Sequence, residues 1–185
     1  YITDNTYTNE ELLDMEQDIV EKLQCCFTVP TAYPFLQIFF KLVSASDLVK
    51  HAASYYNERT LQEHEFLQYR PSEVSAASVV LALNHPKIAE EDGRELNTFK
   101  AYLSQIFFEC TGFDTRKAYI PLILLESTGF DKERICQIAK VIAMKVAEEP
   151  ISASNRRLIA VKNKYNDEKY SYISTQYDLP YMPRR

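Results

Sequence analysis

The stretch Tyr69–Pro86, reading YRPSEVSAASVVLALNHP, restricts what this chain can fold into more than any other. Val74, Ala77 and Leu81 fall on one helical face while Val79, Val80, Ala82 and Leu83 cover the others. A helix with that pattern is apolar nearly all round and needs burial on every side. Pro71 suits its first turn and Pro86 follows its end, so both boundaries are punctuated. Ser75, Ala76, Ala77 and Ser78 are small enough for other helices to come close to the backbone, where a surface helix would carry Lys and Glu. The pattern predicts a central helix wrapped by others.

Composition supports an all-α domain. With 3 Gly against 8 Pro in 185 residues, and abundant Ala, Leu, Glu and Lys, the chain reads as helical rather than as a sandwich with many glycine turns. That length is enough for one core, burying roughly 70% of the unfolded surface. A formal charge of -5 argues against free-standing nucleic-acid binding, which needs clustered Lys and Arg, and favours a protein partner. Cys25, Cys26, Cys110 and Cys136 form no C-x-x-C pair, which points to a reducing setting. No apolar run approaches the roughly 20 residues that span a bilayer. The opening Tyr1, Ile2, Thr3, Asp4 has neither a starting Met nor a signal-peptide pattern, and reads as the interior of a longer protein.

Taken in order, Thr8 and Glu11 form a capping box, and Leu12, Met15, Ile19 and Leu23 come after it at helical spacing, predicting a helix over about Asn9–Gln24. Thr31 can cap a second helix with the stripe Phe35, Ile38, Phe39, Leu42 and Val43. Ser46 and Asp47 start a third, with Leu48, Ala52, Tyr55 and Tyr56 inward, fading through the polar Glu58 to Glu65. After Pro86, the charged stretch Lys87–Asn97 has no apolar period and reads as an exposed loop. Phe99, Tyr102, Leu103, Ile106, Phe107 and Cys110 then predict an amphipathic helix.

Two near-copies come next, Thr111-Gly112-Phe113-Asp114 and Thr128-Gly129-Phe130-Asp131. Each reads as a left-handed Gly closing one helix, a Phe folding back and an Asp capping the next. Between them lies a short helix, Pro121–Ser127. Ile135, Ile138, Ala139, Ile142 and Val146 define a long one from Asp131, Ser154–Tyr165 a last one, and from Tyr170 the chain reads as extended.

Little in the sequence speaks for catalysis. His51, His64 and His85 lie in separate segments without a second ligand at metal spacing, and His64 with Glu65 is no H-E-x-x-H because position 68 is Gln. None of the cysteines has a His and an acid arranged to activate it, and no P-loop, G-x-S-x-G or dinucleotide fingerprint is present. An enzyme is not expected, and no cofactor or metal is called for. Arg156, Arg157, Lys162, Lys164 and Lys169, interleaved with Tyr165, Tyr170 and Tyr172, make the one basic patch to weigh against nucleic acid. Asp167 and Glu168 interrupt it, and a solvated helix face is the preferred reading.

Several segments carry a family likeness. YITDNTYTNEELLDMEQDIVEKL, with its Met15–Glu16 pair, resembles the end of the first cyclin box of A- and B-type cyclins. The linker to Pro30, Tyr69-Arg70-Pro71-Ser72 with its small-residue helix, Pro121 to Phe130, and KNKYNDEKYSYIS near the end resemble the second box of those cyclins, in the family's order.

The resemblance implies residues 1–29 as the last helix of the N-terminal box with its linker, 30–174 as a five-helix C-terminal cyclin box, and 175–185 as an extended tail. It also implies that the first box's substrate-docking patch and its Lys-Phe-Glu-Glu helix are missing. In such proteins the Met-Glu helix packs beside the mobile C-helix of a cyclin-dependent Ser/Thr kinase. By position, Glu16 would bond the kinase, Val20 would give apolar contact, and Cys25 and Phe27 would lie at the rim.

Relative to the family, residues 87–119 read as an insertion, longer than ordinary loops, and its helix is expected to dock on the Pro121 helix over Leu122 and Ile123. With its usual neighbours missing, the stripe of Leu12, Met15, Ile19 and Leu23 is expected to fold back on the second box or to pair with another copy. The implied role is cell-cycle control in nucleus and cytoplasm. The alternatives are a cyclin-fold transcription factor or a helical adaptor.

Overall fold

The computed structural model describes residues 4, 6–92, 120–147 and 159–176. It separates into two units, Tyr1–Pro30 and Thr31–Arg185. Among its described residues the first holds one helix, α1, Asn9–Lys22. Its start is the expected box: Thr8 Oγ1 accepts from the Glu11 N–H at 3.2 Å, and the Glu11 carboxylate accepts from the Thr8 N–H at 2.8 Å.

In the second unit α2 is Ala32–Leu42, α3 Asp47–Thr60, α4 Pro71–Leu83, α5 Pro86–Glu91, α6 Leu122–Thr128, α7 Lys132–Ala147, α8 Ala160–Lys164 and α9 Ile173–Gln176. Single 3-10 turns lie at His64–Gln68 and Glu168–Tyr170, and no strand occurs among the described residues. The architecture is all-α, as expected.

The organising helix is α4. Every residue from Val74 to Leu83 is buried, as an all-round apolar helix demands, and α4 packs on α2, α3 and α7. Small side chains make this approach feasible: Ala76 and Ala77 of α4 and Ala52 and Ala53 of α3 have no accessible surface. Its polar positions are satisfied locally. The Ser78 hydroxyl donates to the Val74 carbonyl at 2.9 Å, and the Ser75 hydroxyl lies 2.8 Å from the Pro71 carbonyl and 2.7 Å from that of Ala32, which ties α4 to the start of α2. At the N-terminus the Glu73 carboxylate accepts from the Arg70 N–H at 3.0 Å and from Arg134 Nε of α7 at 3.3 Å. The Arg134 guanidinium also lies over the Tyr69 ring, so Tyr69 to Glu73 is a small surface clasp between α4 and α7.

The second glycine motif does what its residues predict. Gly129 closes α6 with φ 67°, Phe130 sets its ring edge-on to Phe39 at 6.3 Å, and Asp131 Oδ2 accepts from the Arg134 N–H at 2.8 Å at the start of α7. The first copy, Thr111–Asp114, and the predicted helix Phe99–Cys110 lie outside the described residues.

Four expectations need correction. Lys87–Glu91 is not loop: Pro86 starts α5 rather than merely ending α4, its fixed φ suiting a first helical position, and Ile88 and Ala89 are buried. The fading end of α3 is not exposed, because Asn57, Arg59 and Thr60 are buried and Arg59 Nη2 reaches the Lys145 carbonyl of α7 at 3.4 Å. Leu122 is 72% exposed, so it is not covered as the docking expectation required. Over the described residues after Tyr170, 171–176, the chain is not extended but turns back into α9, burying Ile173 and Ser174.

Candidate interaction surface

The residues assigned to partner contact, Glu16, Val20, Cys25 and Phe27, all lie in the first unit. Leu12, Met15 and Ile19 of α1 and Leu23 at its C-cap recur at three- and four-residue steps and share one side. They are 43%, 58%, 47% and 48% exposed, and α1 buries no residue. Glu16 and Val20, four residues apart, run beside that stripe. Helical geometry puts Glu10, Asp14 and Glu21 on the far side, where Gln17 Nε2 donates to Glu21 at 2.9 Å.

A backbone turn joins Val20 to Cys25. The Gln24 N–H donates to the Glu21 carbonyl at 3.0 Å and the Cys25 N–H to the Val20 carbonyl at 3.1 Å. This paired closure of a helix C-terminus usually uses glycine. Here Gln24 and Cys25 take the left-handed positions, φ 50° and 57°. The motif brings its third-from-last helical residue beside the residue two past the cap, which are Val20 and Cys25, and Val20 is the one residue of α1 that is not fully exposed. The Phe27 N–H donates to the Cys25 carbonyl at 3.1 Å, with the Phe27 ring 54% exposed. The four residues therefore form one short track along the end of α1. Without a glycine as signal, sequence reasoning missed the turn that assembles it.

The groups weighed for chemistry are scattered. Cys25 and Cys26 are exposed free thiols, whereas Cys136 is buried and its thiol pKa pushed up by that burial. His64 is exposed, His51 half-buried and His85 buried. No group of three or more His, Cys, Asp or Glu among the described residues could hold a metal, and no described helix is long and apolar enough to cross a membrane.

Folding consumes much of the basic tyrosine patch. Tyr165 is buried, and its hydroxyl donates to Glu58 Oε1 at 2.8 Å. Lys164 Nζ bonds the same oxygen at 2.5 Å and lies over the rings of Tyr165 and Tyr170. Arg156 and Arg157 lie outside the described residues.

A family model described as the cyclin C-terminal domain matches residues 30–179. Cyclin-A2-1 of Arabidopsis thaliana is 31% identical over 95% of this chain and 34% of its own length. G2/mitotic-specific cyclin-B of Spisula solidissima is 31% identical over 94% of this chain and 33% of its own. G2/mitotic-specific cyclin-B3 of Gallus gallus is 40% identical over 45% of this chain and 21% of its own. The chain thus spans about a third of the length of the first two relatives.

Proposed function

Because the chain belongs to the cyclin family and carries its C-terminal cyclin box, we propose that the protein it represents is a non-catalytic subunit that binds and activates a cyclin-dependent Ser/Thr kinase. Its place would be cell-cycle control, in nucleus and cytoplasm. The observation that supports this most is α1, whose exposed apolar stripe makes sense only against another surface. Bound beside the kinase C-helix, such a surface adds binding energy to one kinase conformation and so shifts the population toward it.

Glu16 gives the reading its chemistry. An ionised carboxylate carried into an apolar contact must meet a cation or lose more than the contact gains. The partner should therefore present Lys or Arg at that point, with Val20, Cys25 and Phe27 completing the contact. In the complete protein, Glu16→Arg should weaken capture of the kinase tenfold or more, on the order of 1.4 kcal/mol, and lower kinase activity in proportion. Unchanged capture and activation would remove Glu16 from the interface.

In the chain alone, the same stripe has no kinase to meet. We propose that it pairs with a second copy through Leu12, Met15, Ile19 and Leu23. The transcription-factor alternative is disfavoured by the engagement of Tyr165 and Lys164 with Glu58, which leaves less of that patch for nucleic-acid phosphates.

A further inference from the structure

The last described stretch closes on α3 through a turn that its own backbone disfavours. Ser171 and Tyr172 both take left-handed conformations, φ 55° and 47°, which L-residues keep only where contacts hold them. Those contacts are specific. Ile173 has no accessible surface, and the Ser174 hydroxyl donates to the Lys162 carbonyl at 2.8 Å. The Tyr170 ring lies 4.7 Å from that of Tyr165 and meets the His51 imidazole edge-on at 5.7 Å. His51 Nδ1 is 3.3 Å from Ser171 Oγ. A single α3 side chain thus touches Ser171, the first left-handed residue of the turn, and Tyr170 just before it.

The surroundings suit a neutral imidazole. Burial pushes its pKa below the ordinary 6.5, a larger effect than the favourable pull of Asp47, and Lys50 adds to the lowering. Asp47 is already bonded to Lys50 at 2.8 Å. From the tail, Lys164 and Lys169 both lie over the Tyr170 ring, at 5.8 and 5.5 Å. The acids nearby are committed or solvated: Glu58 holds Lys164 and Tyr165, Asp167 accepts from the Lys169 N–H, and Glu168 is exposed.

We propose that His51 is a pH-sensitive latch for this turn: neutral, it holds Tyr170 and Ser171 against α3, and protonated, it releases residues 168–176 while α3, α4 and α7 stay folded. The sign comes from linkage. A base whose folded pKa is depressed contributes fully above its unfolded value near 6.5, and the contribution is lost as pH falls from there toward the folded value. The turn should loosen on mild acidification and be indifferent to pH above neutrality.

Amide hydrogen exchange tests this on the full chain, with rates corrected for intrinsic pH dependence and compared between about pH 5 and about pH 7.5. The amides to monitor are those of Tyr172, Ser174 and Thr175, which donate to Asp167, Tyr165 and Tyr172. Their protection relative to α4 amides should fall severalfold at the lower pH. In His51→Phe, which keeps a ring against Tyr170, and in His51→Gln, which can still bond Ser171, the ratio between the two pH values should return to one. In His64→Gln it should remain as in the wild type. Equal protection at both pH values in the wild type, or an undiminished pH dependence in both His51 variants, would overturn the latch.

Discussion

At the scale of single residues, Tyr165 shows how packing and hydrogen bonding divide the work. Its ring is buried against Tyr55 and Tyr170, at 5.5 and 4.7 Å, and its hydroxyl meets Glu58. Tyr165→Phe keeps the ring and removes the bond to Glu58, whose carboxylate still holds Lys164, so it should cost about 1 kcal/mol. Tyr165→Ala empties the site and should cost about 3–5 kcal/mol. Urea unfolding with an unchanged slope would read both.

Burial also pushes the Tyr165 phenol above its ordinary 10.0, aided by Glu58. The unfolded chain then ionises first, so the contribution is complete below pH 10 and lost above it. Tyr165→Phe should soften the alkaline loss of stability. The sequence announced Tyr165 only as one of a run of tyrosines beside lysines. Two of the residues it touches, Tyr55 and Glu58, are over a hundred positions away, so no periodicity could reveal those contacts. Asn57 and Arg59 escaped for a related reason: their polarity signals surface, and burial of Arg59 is made tolerable by partners that polarity does not reveal, Gln62 and the α7 carbonyl at Lys145 among them.

At the scale of elements, patterns confined to one segment were legible and patterns depending on a neighbour were not. The capping box of α1, the all-round apolar α4 and the Gly-Phe-Asp junction before α7 are each complete within a few residues. The junction makes a sharp prediction, because Gly129 has φ 67° and an added Cβ would meet nothing within 4 Å. Gly129→Ala should therefore cost only the backbone penalty, about 1 kcal/mol, seen as a small fall in thermal midpoint with no repacking of Phe130. By contrast, α5 was hidden because Pro86 can end one helix or begin another, and the burial of Ile88 and Ala89 decides which. The closing turn of α1 was hidden because Gln24 and Cys25 stand where glycine would announce it. That turn sets the geometry of the proposed contact track, and no residue type in the sequence announced it.

At the scale of the whole molecule, charge and hydrophobicity are distributed unevenly between the two units. Helix α1 carries six acids, Glu10, Glu11, Asp14, Glu16, Asp18 and Glu21, against Lys22 alone, a net -5 that equals the formal charge of the entire chain. The remaining residues are balanced. An exposed apolar stripe drives α1 toward another surface, while the same helix repels its own copy through those acids. Salt decides between the two: it screens exposed charges, the Debye length shrinking from roughly 30 Å at 0.01 M to roughly 10 Å at 0.1 M, and leaves apolar burial intact.

Self-pairing through α1 should therefore strengthen as salt is raised, the reverse of an association held by ion pairs. Sedimentation velocity on the chain alone should show a concentration-dependent dimer that grows with ionic strength. Ile19→Glu, which puts a further carboxylate in the centre of the stripe, should leave a monomer at every salt concentration with the α4 core intact. A monomer in the wild type at high salt and high concentration would mean that the stripe does not recognise itself. The Glu16→Arg capture experiment would then stand as the separate test of whether α1 recognises a kinase.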